Sequence, residues 1–230
     1  MPAAKDCPAQ AELAGLSGLV WDLDNTLYRF DDAFKHACNI AAARAAIKGG
    51  VDMEIDEAIA FGWKSYREKG YSITLFIEQF QLDVTRMHHD FHHFIDEKLI
   101  AACQDTAQAF RDSTQKHVLL THASRAWAVR TLAHLGLADS FPAAHIIPAE
   151  DVSFIKKSSG TAPFEHALAA LGCAAGQAAI IEDMPANLDI PKKMGMTTIL
   201  VHHGQKPDPR PAFIDYDFNN ALSVLRACCC

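Results

Sequence analysis

From Lys116 onward the chain alternates short apolar runs with helical stretches, and that alternation leaves few folds open. His117-Val118-Leu119-Leu120-Thr121 reads as a strand, Ser124 to Leu135 as a helix closed by Gly136, and Ile146-Ile147 as a brief strand. Thr161 to Leu171 is the next helix, closed by Gly172, and Ala178-Ala179-Ile180-Ile181 is a strand running into Glu182-Asp183. Pro185 to Met194 reads as a helix closed by Gly195, followed by a strand from Thr197 to Val201. Glycine just past a helical stretch is a stop signal, and short apolar runs bounded by polar residues are buried strands. Repeated strand–helix units build a parallel sheet with helices on both faces, and such a sheet places its chemistry at the C-terminal ends of its strands.

One strand stands apart. Leu19-Val20-Trp21 runs into Asp22-Leu23-Asp24-Asn25-Thr26, and then residues 31–113 look wholly helical. Helices are expected from Asp32 to Lys48, Asp56 to Lys69, Ile73 to Phe80 and His88 to Leu99, with Gly49-Gly50 and Gly70 as stops. A helical block entering just after the first strand projects over the strand ends as a cap. The expected organisation is therefore an α/β core, residues 1–30 and 110–230, with an all-helical cap at 31–109.

Composition narrows the function classes. Half the residues are apolar and 21% are charged, enough for a full core and too apolar for disorder. The net charge of −7 disfavours a grip on polymeric nucleic acid, but a small phosphate ligand needs only a local positive pocket. No apolar run approaches a bilayer span, and Met1 to Gln10 shows no secretory pattern. Seven cysteines (Cys7, Cys38, Cys103, Cys173 and Cys228 to Cys230) include no spaced Cys-x-x-Cys pair, so a reduced, cytoplasmic setting is expected. The terminal triple Cys does not fit a prenylation box and is expected to be an exposed, frayed tail.

The strand ends collect Asp22 and Asp24, Thr121, and Glu182 with Asp183. Taken singly, each acidic pair is explained as a turn or a helix cap. Gathered at one edge, several carboxylates repel each other and call for a cation, and oxygen ligands suit magnesium. Thr121 with the helix start after it, and Lys156-Lys157, are the groups at hand to hold a phosphate.

These residues, in this order, resemble the haloacid dehalogenase-like hydrolases over roughly residues 17–205. Four motifs carry the resemblance: Asp22-Leu23-Asp24-Asn25-Thr26-Leu27 after an apolar strand; Thr121 after Val118-Leu119-Leu120; the lysine ahead of Ser158-Ser159-Gly160-Thr161-Ala162-Pro163-Phe164; and Ile180-Ile181-Glu182-Asp183 followed by Asn187. The helical block matches that family's helical cap type. The resemblance implies that Asp22 attacks phosphorus as a nucleophile and that Asp24 protonates the leaving oxygen and later activates water. It implies a magnesium ion on Asp22, the backbone carbonyl of Asp24 and Asp183, with Glu182 direct or through water. Thr121 would hold a phosphoryl oxygen, and Lys157, with Lys156 close behind, would pair with Asp22 and phosphate. Asn25, Thr26, His122, Ala123 and Lys156 are the further candidates for phosphate or substrate contact. Two departures stand out: His122 replaces the Asn that often follows the motif-two Thr, and Lys156-Lys157-Ser158 replaces a common Lys-Pro.

Trp21 to Tyr28 further resembles the pyrimidine 5′-nucleotidase branch, as do Tyr66-Arg67-Glu68-Lys69-Gly70-Tyr71-Ser72-Ile73-Thr74-Leu75, with Lys69 in place of a second Tyr, and Thr121-x-Ala123 with the helix after it. That branch implies a nucleoside monophosphate as substrate. A phosphatase for small sugar or glycolate phosphates, a metal-free dehalogenase and a non-catalytic phosphate binder remain as alternatives. His88-His89-Asp90-Phe91-His92-His93 has His89 and His93 at helical spacing, but without other ligands it reads as packing and surface residues rather than a metal site. Trp63, Tyr66, Phe76 and Phe80 read first as cap core.

Overall fold

The computed structural model describes residues 8–228. Six strands, β1 (Gly18–Trp21), β2 (Lys116–Leu120), β3 (Ile146–Ile147), β4 (Ala178–Glu182), β5 (Thr197–Val201) and β6 (Tyr216–Phe218), form one parallel sheet in the order β3-β2-β1-β4-β5-β6. The helices are α1 (Pro8–Ala14), α2 (Asp32–Lys48), α3 (Ile55–Lys69), α4 (Thr74–Phe80), α5 (Val84–His93), α6 (Gln104–Asp112), α7 (Arg125–His134), α8 (Ala162–Leu171), α9 (Asp189–Lys193) and α10 (Ala221–Cys228). The expected α/β architecture with an inserted helical block is what forms. No helix among the described residues is long and apolar enough to cross a membrane.

Alternation along the strands splits the core in two. Leu19 and Trp21, with Leu119, Ile181 and Ile199, face one side and join a cluster that runs through Trp127 and Phe110 up to Phe34, Phe76 and Phe91 of the helical block. Val20, Val118, Leu120, Ile180 and Leu200 face the other side and meet Phe164, Leu171 and Leu188. Register aligns the strand ends: Trp21 pairs with both Leu119 and Ile181, so Asp22, the end of β2 and Glu182 reach the same edge.

Within the helical block, α2 buries Ala41, Ala42, Ala43, Ala45 and Ala46, and this small-residue face lets α3 approach closely. A Cβ on Gly62 would lie 3.1 Å from Asn39 Oδ1. Gly70, left-handed at φ 74°, ends α3 and receives no steric penalty for that turn. Buried Ser65 then fastens the next loop, donating to Tyr71 O at 2.6 Å and accepting from Leu75 N at 3.0 Å.

Several elements differ from the sequence reading. Asp83 accepts from Arg86 N and starts α5 four residues before His88, while Asp96 caps a separate 3₁₀ turn at Glu97–Leu99. The stretch from Pro185 divides into a 3₁₀ turn (Pro185–Asn187) and α9, because Pro191 has no N–H to continue a helix begun at Pro185 and is tolerated in a new first turn. Strand β6 and helices α1 and α10 were not expected. Cys228 is buried at the end of α10, which corrects the expectation of a frayed tail there; Cys7, Cys229 and Cys230 lie outside the described residues, as does most of the Met1 to Gln10 stretch.

Candidate active site

The nucleus of the site is a buried lysine between two carboxylates. Lys157 Nζ donates to Asp22 Oδ1 at 2.5 Å and to Glu182 Oε1 at 2.8 Å, with the lysine side chain 1% exposed. Burial works against its charge, but the two acids more than offset this and hold its pKa above the ordinary lysine value. Glu182 is held by further donors: Oε1 also accepts from Asn187 Nδ2 at 2.7 Å, and Oε2 from Met184 N at 2.8 Å, which leaves Oε2 room for one more partner. Burial would raise its pKa, yet Lys157 and these donors keep it below the ordinary value.

Asp22 and Asp183 are less well compensated. Burial raises the Asp22 pKa to about 7 against the pull of Lys157, with Glu182 and Asp24 adding to the rise. Asp183 is pushed well above the carboxylate range by burial and then by Glu182 and Asp22. Its partner is Asn25, whose Nδ2 donates to Asp183 Oδ2 at 2.8 Å. Asn25 itself takes φ 60°, a left-handed turn that Asn tolerates, and its carbonyl accepts from His203 Nε2 at 2.8 Å. Oxygens of Asp22, Glu182 and Asp183 lie within 4.8 Å of one another, an all-oxygen set that could hold a hard divalent cation.

Asp24 lies beside this group under different control. Its Oδ1 accepts from Tyr28 Oη at 2.5 Å and from Trp127 Nε1 at 3.0 Å. Burial raises its pKa, while these two donors oppose the rise. No local pattern in the sequence marks Trp127 for this role.

The β2 end contributes Thr121, buried, whose Oγ1 accepts from Ala123 N at 3.0 Å and so keeps its own hydrogen for another acceptor. The first-turn donor of α7 at Trp127 N is met by Ser124 Oγ. His122 Nε2 accepts from Lys157 N at 3.1 Å. Burial, and then the charge of Lys157, lowers the His122 pKa to about 4, so at neutral pH it is an uncharged acceptor that fixes the lysine loop. Of the two candidate lysines, Lys157 enters the site and Lys156 stays exposed on the loop, close enough for its charge to act on His122. Thr26 is fully buried, and its Oγ1 has no hydrogen-bond partner among the described residues.

The helical block reaches this edge. His88 Nε2 donates to His122 O at 2.8 Å, and the His88 ring meets Phe154 at 5.2 Å. His92 Nδ1 donates to His88 O at 2.8 Å, so His88 and His92 are packing residues; His89 and His93 stack on each other at 6.4 Å, with His89 beside Asp90 at 3.3 Å and His93 against Phe94 at 5.6 Å. The loop at Gly70 comes close to Met184, whose methyl would be 3.9 Å from a Cβ on that glycine. Lys69 is engaged in an ion pair with Glu78 at 2.8 Å.

The family model for haloacid dehalogenase-like hydrolases matches residues 19–201, from the first strand through β5. The chain belongs to this family. A comparison with curated proteins finds no match. Among solved structures, this haloacid dehalogenase-like hydrolase is similar to a protein described as a phosphoglycolate phosphatase from Lactobacillus plantarum (16% identity, 92% of this chain and 99% of that one, TM-score 0.63). It is similar to a HAD-hydrolase from Bacillus subtilis bound to magnesium (14%, 93% and 98%, TM-score 0.61). An L-2-haloacid dehalogenase is related to the same degree (14%, 93% and 99%, TM-score 0.59). Likeness at such identities shows the fold, which phosphatases and dehalogenases of the family share.

Proposed function

We propose that this hydrolase is a magnesium-dependent phosphomonoesterase working through an aspartyl-phosphate on Asp22, with a pyrimidine nucleoside 5′-monophosphate as substrate. The observation that carries the reading is the charge arrangement: one buried lysine serves Asp22 and Glu182, while Asp183 beside them meets the Asn25 amide and Glu182 but no cationic side chain among the described residues. A carbon-centred dehalogenation expels halide, which needs no proton, and so has no use for an acid held as Asp24 is. The residues fit magnesium, held by Asp22, Asp183 and the Asp24 carbonyl, with Glu182 direct or through water; when bound, it supplies the positive charge that lets the acids and a phosphate share one site.

In this reading an Asp22 oxygen bonds to phosphorus as the ester P–O bond breaks, and Asp24 gives its proton to the departing oxygen. Asp24 then takes a proton from water as that water attacks phosphorus, releasing phosphate and restoring Asp22. The Thr121 hydroxyl and Lys157 hold phosphoryl oxygens, and the neutral His122 keeps the lysine loop in place. Lys156, Asn25, Thr26 and Ala123 shape the surroundings of that pocket.

Residues 31–109 would act as the cap over the core of residues 1–30 and 110–230. Residue 109 falls inside α6, and Phe110 packs 5.0 Å from Trp21 of the core, so the moving part would end before Gln104. Asp22 is only 6% exposed, so substrate entry requires the cap to lift and the His88–His122 bond to open. Two large exposed apolar side chains near the site, Met184 and Ile155, support a leaving group with an apolar face, such as a base. Stacking a base is worth about 1–3 kcal/mol, enough for one to two orders of magnitude in selectivity. Free thiols at Cys38, Cys103 and Cys173 support a reduced, cytoplasmic setting.

The test is kcat/KM for uridine and cytidine monophosphates against glycolate and hexose phosphates, with magnesium and with excess chelator. Nucleotides should lead by about tenfold or more, and chelation should stop turnover until magnesium is returned. Small phosphates leading by that margin would reject the nucleotide reading, and undiminished hydrolysis in chelator would reject the metal.

A further inference from the structure

Asp24 has two dedicated donors of different origin. Tyr28 comes from the same loop, four residues on; Trp127 comes from α7, more than a hundred residues away, and is 1% exposed. Both converge on Oδ1, which fixes the carboxyl rotamer and leaves Oδ2 as the oxygen able to trade a proton with a substrate. The indole is in turn seated by the helical block. Phe34 of α2 and His92 of α5 each lie near-parallel to it with centroids 6.1 Å away, at interplanar angles of 23° and 28°. Arg130, one turn along α7, sits 5.4 Å over the same ring. Its guanidinium bonds Ile95 O and Glu97 Oε2, both at 2.6 Å, at the end of the helical block.

We propose that Trp127 is a positioning residue that couples docking of the cap to the orientation of Asp24. The inference rests on the reading of Asp24 as acid and base. With the cap docked, Phe34, His92 and the Arg130 contacts hold the indole N–H on Oδ1. With the cap lifted, those rings leave and the N–H is free to turn away. Proton transfer is then aligned only when the site is closed over bound ester and water is excluded, a coupling of closure to chemistry built from packing rather than charge.

The experiment compares Trp127→Phe, which keeps a ring and removes the N–H, with Asp24→Asn and the double variant. Each is assayed on an alkyl phosphate with a poor leaving group and on para-nitrophenyl phosphate. Trp127→Phe should lower kcat on the alkyl ester by on the order of 10- to 100-fold, the range for removing a hydrogen bond to a charged acceptor. KM and the para-nitrophenol burst should move by less than about threefold, since an activated leaving group needs little protonation. The double variant should be no slower on the alkyl ester than Asp24→Asn alone, because Trp127 acts through Asp24. Phe34→Leu, which leaves the indole N–H intact but removes a cap ring, should show the same leaving-group signature to a smaller extent. Equal losses on both esters, or additive losses in the double variant, would overturn the positioning role. A Phe34→Leu loss without the signature would overturn its coupling to the cap. If Asp24→Asn itself shows no leaving-group dependence, the acid–base reading fails and this inference falls with it, whereas a dependence in Asp24→Asn that is absent from Trp127→Phe rejects this inference alone.

Discussion

At the sheet edge a buried lysine joins two buried carboxylates, whereas in the cap the buried His88 and His92 bond backbone carbonyls at 2.8 Å. Burial lowers the pKa of both histidines, that of His92 well below the ordinary value, so they sit neutral at neutral pH. The contrast teaches how the labour divides. The core holds charge that is costly to bury, and it does so at rigid strand ends where the charge can be aimed. If residues 31–109 move as a cap, the neutral His88 and His92 would undock without stranding an ion, and the charged pair across the same seam, Arg130 with Glu97, lies where solvent reaches it.

Substitutions can break this contrast on the core side first. Asp22→Asn should lower turnover on any phosphate ester by at least about four orders of magnitude while the far-ultraviolet spectrum stays unchanged; near-normal turnover would remove Asp22 from the chemistry. Asp24→Asn should cost roughly 10²–10⁴ in kcat on alkyl esters, read by steady-state kinetics. Lys157→Met should destabilise the fold by about 3–5 kcal/mol in urea unfolding, because Asp22 and Glu182 lose their shared cation. The same change at exposed Lys156 should stay within about 0.5 kcal/mol.

On the cap side and beneath the sheet, the effects are smaller and turn on neutrality. His117 and His122 both fall from the ordinary 6.5 to about 4, chiefly through burial. A histidine whose folded pKa is depressed binds fewer protons folded than unfolded, so its contribution is intact above pH 6.5 and is lost as pH falls toward 4. Each should cost about 3 kcal/mol of stability over that window, with His88 and His92 acting in the same direction. Asp22, Asp24 and Asp183, whose pKa values are raised, act in the opposite sense over the same window, so the check is the Tm of the unsubstituted chain minus that of His117→Phe; this difference should fall steadily from pH 7 to 5, and a flat difference would mean the ring is protonated or open to water. Ser65→Ala, which frees Tyr71 O and Leu75 N in the cap loop, should cost about 1–3 kcal/mol. If the loop matters to substrate choice, it should raise KM for nucleotides more than for para-nitrophenyl phosphate.

The sheet was legible because its central strands are uninterrupted apolar runs with polar residues immediately after them; Leu19 to Asp22 and Ala178 to Asp183 show both features. Strand β6 was not, because Tyr216-Asp217-Phe218 is short, sits at the sheet edge and is only half-buried. Helix α10 carries Ala221, Val224, Leu225 and Cys228 at helical spacing, a pattern of only two turns that ends in the triple cysteine without a stop signal. At the site, acids and lysine could be named from their order along the chain, since register alone brings the ends of β1 and β4 together. The grip of Trp127 on Asp24 could not be named, because it arises from the packing of α7 against the cap, which no local pattern encodes.

The most direct test of the account is to find the covalent intermediate. The enzyme with magnesium is mixed with uridine monophosphate, quenched in acid within the first turnover, digested and examined by mass spectrometry. The account predicts a phosphoryl group on the peptide that contains Asp22, removable by hydroxylamine and absent from Asp22→Asn. Rapid turnover with no such adduct, or an adduct on another residue, would contradict it.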